Sequence, residues 1–209
     1  MHTLFLDIAS HQGSIACVAD DSTAAITPVD HRIGDSALMP AVESTLKNAG
    51  WSYRDLTHIA CVVGPGGFTS LRMGVTLANT LADQLRIPAA GIHVSEVYFA
   101  RHQPPATSHQ QFVWLHSTKK TELFIRTFNI DDSEWQEPTL ISLEKLVAGG
   151  QRLVAAQWAG ELIPAHVEAL ASLHLQEMPM RPIEDVLPAF LKNQSYGSDL
   201  LLPWYGRGW

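Results

Sequence analysis

Hydrophobic and polar positions along the chain alternate first with a period of two, then of about 3.6, and then of two again, which predicts strands interleaved with helices. Residues 3–9 and 14–19 read as strands separated by a polar break. Asp20 and Asp21 supply turn chemistry, and residues 24–29 make a third strand, so the chain opens with an antiparallel meander. Asp35 is a good N-cap for a first helix that runs to about residue 49, where Gly50 offers the left-handed stop. Pro40 falls within or just past the first turn, where proline costs least. Residues 58–63 form the continuous apolar run expected of a central parallel strand. A second helix over 68–85 follows, then a short strand at 88–92 and a helix at 93–101.

Residues 102–109, which include Pro104 and Pro105, break every period and predict a linker with a boundary near 105. The expected halves are 1–104 and a smaller, divergent 105–209, with the last residues returning to the first half. In the second half, 111–116 and 122–128 read as strands around a polar turn. Residues 143–148 are helical, 152–156 a strand, and 164–173 a helix opened by proline. The order of elements echoes the first half without any repeat of residues. Strand-helix alternation of this kind predicts an α/β fold with mixed sheets.

The most specific local feature is GPGGFTSLRMG, from Gly64 to Gly74, which joins a buried strand to the second helix. Gly64, Gly66 and Gly67 permit backbone angles closed to other residues, and Pro65 fixes a bend between them. Thr69 or Ser70 is placed to cap the helix, with Arg72 one turn in, and free N–H groups at such a start attract anions. No Lys follows the glycines and the GxGxxG spacing is absent, so the turn is neither a P-loop nor a dinucleotide fingerprint. The alternatives are a tight structural turn and an anion site. On the second helix, Leu71, Val75, Ala78, Ala82 and Leu85 define one apolar face, and Met73, Leu77 and Leu81 a neighbouring one. Gly74, Ala78 and Ala82 form a strip of small residues. The first helix carries Leu38, Val42 and Leu46 on one stripe and Ala37 and Ala41 on the next. Either the two helices pack on their own sheet, or they present an apolar ridge to another subunit. The pattern leaves both open.

Composition narrows the classes. With 46% hydrophobic and 17% charged residues, the chain is an ordinary globular one. A formal net charge of −7 with no basic cluster beyond Lys119, Lys120 and Arg207 argues against direct nucleic-acid binding. Cys17 and Cys61 lie in strand-like runs, as buried thiols in a reducing compartment do. The apolar runs are too short for a signal peptide or a membrane helix, so a soluble, cytoplasmic protein is expected. No two of the ten His lie three to five residues apart, and HExxH is absent, so no metal site is predicted. Asp7, at the end of the first strand, is the residue type that orients a metal in a nucleotide site; satisfying its own turn is the competing role.

LFLDIAS at residues 4–10, GPGGFTSLRMGVTLAN at 64–79, GIHVSE at 91–96 and PAFLK at 188–192 resemble the TsaB (YeaZ) family. These are bacterial tRNA threonylcarbamoyladenosine biosynthesis proteins related to the Gcp and Kae-type proteins and once labelled glycoproteases. The resemblance implies two ribonuclease-H-like halves of the actin-like ATPase (ASKHA) fold, each a mixed sheet flanked by helices. It implies a non-catalytic subunit that pairs with TsaD through its first two helices and works with the ATPase TsaE. It implies a homodimer when alone, tRNA met only through the complex, and no cofactor of its own beyond weak ATP or ADP at a complex interface. Leu38, Val42, Leu46, Met73, Gly74, Leu77, Ala78 and Leu81 would then form the partner interface. Asp7 would be a vestigial nucleotide-site residue. Two departures stand out: Gly67 and Ser70 exchange the family's usual Ser and Gly, and His116, Ser117 and Thr118 replace an Asp-Ala-Arg stretch. A nucleotide-binding enzyme of the same fold, or a peptidase, is the alternative.

Overall fold

The computed structural model describes residues 1–29, 33–102, 112–129, 134–149, 157–173 and 175–206. Two compact units divide the chain: Met1–Val94 with Pro182–Tyr205, and Ser95–Arg181. Of the linker predicted at 102–109, His102 is instead the last residue of a helix; the rest of it, its boundary near 105 and the strand at 152–156 lie outside the described residues.

The first unit is a five-stranded sheet of β1 (Thr3–Asp7), β2 (Gly13–Val18), β3 (Thr23–Val29), β4 (His58–Gly64) and β5 (Ala89–His93), in the order β3-β2-β1-β4-β5. The meander β1 to β3 is antiparallel, whereas β4 and β5 join β1 in parallel. Every residue of β1 and β2 is buried, so both sheet faces are covered, which is why these strands read as unbroken apolar runs. Helices α1 (Asp35–Ala49) and α2 (Phe68–Leu85) close one face, where Leu4, Leu6, Ile15 and Cys61 meet Val42, Leu46, Val75 and Ala78. The helix limits agree with the periodicity, but the caps do not. Gly34 rather than Asp35 is the N-cap of α1, although Asp35 Oδ1 still accepts from the free Ser36 N–H at 2.8 Å from the first helical position, and Gly67 rather than Thr69 or Ser70 caps α2. Gly50 ends α1 at φ 72° as expected.

The second unit holds β6 (Phe112–Lys119), β7 (Glu122–Asn129), β8 (Glu134–Trp135), β9 (Thr139–Ser142), α4 (Leu143–Gly149), β10 (Gln157–Glu161), α5 (Pro164–Leu170) and β11 (Gln176–Glu177). Its order is β11-β10-β6-β7-β8, with β9 also on β7. β10 and β11 extend the sheet in parallel from β6, as β4 and β5 do from β1. Both units are thus ribonuclease-H-like, and the repeated order of elements is real at the level of topology.

Their third helices are exchanged along the chain. From Ser95, α3 (Val94–His102) belongs to the second unit, where Phe99 packs on Phe112, Phe128 and Trp135. Arg126 of β7 bonds Ser95 Oγ at 2.9 Å and stands 4.6 Å over the Trp135 ring. α6 (Ile183–Lys192) returns to the first unit, with Val186, Leu187 and Leu191 buried and the Glu184 carbonyl accepting from Thr23.

His102, at the end of α3, is 6% exposed and donates from Nδ1 to the Pro179 carbonyl at 3.0 Å. Its Nε2 finds no partner among the described residues. Burial holds its pKa down to about 4, so the ring is neutral at pH 7. A folded pKa below the unfolded value means that the unfolded chain takes up the proton first. Stability contributed here is full above about pH 6.5 and is lost as pH falls toward 4. Urea unfolding of the wild type and of His102→Gln, which keeps an N–H donor but cannot titrate, should diverge across that window, with the variant less acid-sensitive; parallel curves would contradict this.

Candidate functional site

The glycine turn between β4 and α2 is filled by its own molecule. Gly64 has φ 132°, and a Cβ there would stand 2.3 Å from the Trp204 carbonyl oxygen. A Cβ on Gly66 would lie 2.6 Å from that of Ala9, and the Gly67 N–H donates to the Ala9 carbonyl at 3.1 Å. The glycines therefore serve close backbone approach to the β1–β2 connection and to residue 204. Asp7 is 2% exposed and its Oδ1 accepts from the Ser10 N–H at 3.1 Å, so its carboxylate closes its own turn. Ser70 is buried in the first turn of α2, Thr69 is exposed, and Arg72 stands 5.5 Å over the Phe68 ring.

A groove of about 500 Å³ runs between α1 and α2. Asp35, Leu38 and Met39 line it from α1, and Thr69, Arg72, Met73, Thr76, Leu77 and Thr80 from α2. The two faces read on α2 are both present. Leu71, Val75 and Ala78 are buried on the sheet, whereas Met73, Leu77 and Leu81 are only half-buried. For α1 and the small-residue strip the expectation is corrected. Leu38, Val42 and Leu46 point into the core at 6%, 0% and 3% exposure, and only Leu38 also reaches the groove. Gly74 and Ala78 face the sheet too, since a Cβ on Gly74 would touch Ile8 at 3.1 Å. A 15-residue helix on one face of the sheet needs its larger apolar stripe for that sheet, which leaves Met39, 38% exposed, as the large apolar α1 residue offered outward.

In the second unit, the residues that depart from the family pattern hold buried polar contacts. His166 is fully buried. Its Nε2 donates to the Lys120 carbonyl at 2.9 Å, which makes Nδ1 the acceptor for the Ser117 hydroxyl at 2.8 Å. Ser117 Oγ accepts in turn from the Ile163 N–H at 3.0 Å. This Ser-His pair ties the β6–β7 hairpin to the start of α5; a backbone carbonyl, rather than a carboxylate, orients the ring. His116 lies 3.7 Å from Glu161, which also accepts from the Tyr98 hydroxyl at 2.8 Å. Sequence spacing had no means of pairing His116 with Glu161, which sit opposite each other only through the β6–β10 register. Burial raises the thiol of Cys17 to about 12 and moves Cys61 the same way, so neither is a nucleophile at neutral pH.

Replacing Gly64 by Ala should cost about 2–4 kcal/mol, because the new methyl meets the Trp204 carbonyl and the φ is foreign to an L side chain. Chemical denaturation measures it; a loss below about 0.5 kcal/mol, the range of ordinary surface changes, would contradict the close contact.

Residues 31–174 match the family described as TsaD, tRNA N6-adenosine threonylcarbamoyltransferase. The tRNA threonylcarbamoyladenosine biosynthesis protein TsaB of Bacillus subtilis (strain 168) is 36% identical over 102 residues, covering 48% of this chain and 44% of that protein. The chain thus spans about half the length of the curated relatives it matches. A Pseudomonas aeruginosa protein described as similar to peptidase YeaZ superposes with TM-score 0.71 at 19% identity over 99% of both chains. A Bacteroides thetaiotaomicron protein with actin-like ATPase fold superposes with TM-score 0.51 at 12% identity over 91% of this chain and 95% of that one. No helix among the described residues is long and apolar enough to cross a membrane. With its turn, its duplicated topology and the family match over residues 31–174, the chain belongs to the TsaD family, and over about half its length it is similar to relatives named TsaB.

Proposed function

We propose that this chain is a non-catalytic subunit that seats a TsaD-like catalytic subunit along the α1–α2 groove and thereby supports threonylcarbamoyl transfer to adenosine next to the tRNA anticodon. The observation that carries the reading is the groove itself. Met39, Met73 and Leu77 leave apolar surface uncovered in it, with Asp35 and Arg72 supplying one charge of each sign at its lining. Such a surface suits an apolar helix of a partner, with charges that fix its register. The relatives' names place them in threonylcarbamoyladenosine biosynthesis, which gives that partner its chemistry.

A supporting rather than chemical role is favoured because the groups that would handle a nucleotide are otherwise engaged. Asp7 closes its own turn and the glycines are packed against Ala9 and Trp204. On this reading the chain holds no cofactor alone, and ATP or ADP is met weakly at the complex interface together with a TsaE-like ATPase. Without the catalytic subunit the groove would self-associate to a homodimer. The net charge of −7 fits tRNA contact made through the complex.

Sedimentation of the purified chain with a TsaD-like subunit from the same organism should give a heterodimer. Thr76→Arg, an exposed groove position, should weaken it by about tenfold or more while leaving the melting temperature unchanged, and Leu77→Glu should weaken it too, with a lowered melting temperature because Leu77 also packs on the core. A wild-type chain that stays monomeric in that mixture overturns the proposal.

A further inference from the structure

The segment that follows α6 crosses the first unit as a strap that is held at four levels, first on β5 and then three times on α2 and its turn. Gly197 and Ala89 exchange both backbone hydrogen bonds, at 2.8 and 3.0 Å, at the start of β5. Asn79 of α2 then clamps Leu201 from both sides, donating to its carbonyl at 3.0 Å and accepting its N–H at 2.9 Å. Next, the Trp204 N–H donates to the Val63 carbonyl at 2.7 Å, its ring meets His93 edge-on at 4.8 Å, and its carbonyl fills the space left by the missing Gly64 side chain. Finally, the Tyr205 ring lies 5.2 Å from Phe68, the first residue of α2, and Phe68 carries the Arg72 guanidinium over its face.

Arg72 lines the α1–α2 groove, and so do Thr76 and Thr80 on either side of the Asn79 turn. A path of direct contacts therefore links the strap to the groove: Tyr205 to Phe68 to Arg72 at the helix start, and Leu201 to Asn79 further along. We propose that residues 193–205 act as a latch that sets the first turns of α2 in the pose the groove requires, so that strap docking and groove occupancy are thermodynamically coupled. Coupling through packed contacts of this kind must be reciprocal: a ligand in the groove tightens the strap as much as the strap tightens the ligand. The strap is suited to the role because its contacts alternate with outward positions: Leu201 is clamped by Asn79 and packs on the core, while Leu200 and Leu202 on either side point outward at 74% and 76% exposure.

The regulatory part of this inference rests on the groove being the partner surface; the latch itself does not. Hydrogen exchange of the full chain, read by mass spectrometry, separates the two. In Asn79→Ala, exchange in 197–205 should rise about tenfold and exchange in 68–73 should rise with it, while affinity for the TsaD-like subunit falls about fivefold. Tyr205→Ala, which keeps the Asn79 clamp, should loosen 68–73 and weaken the partner with the Leu201 amide still protected. Adding the partner to wild type should slow exchange in 197–205. A strap that is released while 68–73 and the affinity stay unchanged overturns the latch, as does a strap that stays protected in Asn79→Ala. If wild type binds no TsaD-like subunit, the partner reading fails, and the exchange in 68–73 still decides the coupling.

Discussion

Helix α2 leaves its strand through a turn in which backbone stands where side chains would otherwise be. Ala9 presses on Gly66 and the Trp204 carbonyl on Gly64, while one turn into the helix Gly74 rests on Ile8. At Gly64 and Gly66 only a residue without a Cβ allows an approach of this closeness, and at Gly74 its absence spares a tight contact with Ile8. These glycines bring α2 down onto β1 and β4, and they fix which of its faces is consumed. Leu71, Val75 and Ala78 go to the sheet; Met73, Leu77 and Leu81 are left half-covered at the helix flank. The α1–α2 groove is a consequence of that depth, because α1 fills the adjoining strip with Val42 and Leu46 and leaves only its first turns to stand beside α2.

The same closeness changes how the turn reads chemically. A glycine-rich connection ahead of a helix is the ordinary form of an anion cradle, since free N–H groups and open space coincide there. Here the space is taken by the molecule itself, and the buried carboxylate beside it bonds the Ser10 N–H. The actin-like scaffold is retained without an open pocket of that kind at this turn. What the fold offers instead is surface: a two-helix groove and a strap that reports on it.

Much of this was legible in the sequence because it depends on period and on glycine. The limits of α2, the opening meander, the repeated order of elements and the two faces of α2 all follow from local pattern. The caps were legible only to within a residue or two: Asp35 does bond a first-turn N–H of α1, but at Gly34 and Gly67 the cap itself is a residue whose backbone carbonyl accepts the first helical bond and which has no side chain to announce it. Pattern alone could not decide where Leu38, Val42 and Leu46 point, because two apolar stripes on one helix look alike until the sheet chooses the bulkier one. The strand Gln157–Glu161 hides its pattern, with a glutamate held inside by Tyr98 and a glycine at φ 138°. The exchange of α3 and α6 between units, and the strap that follows α6, are facts of long-range packing that no local window contains.

The central claim is that the surface created by the depth of α2 is where the catalytic partner sits. Hydrogen exchange of the chain with and without a TsaD-like subunit tests it most directly. The account predicts slowed exchange concentrated in residues 35–42 and 68–81, with the hairpin of β6 and β7 unchanged. Protection confined to the second unit, with α1 and α2 exchanging as in the free chain, would contradict it.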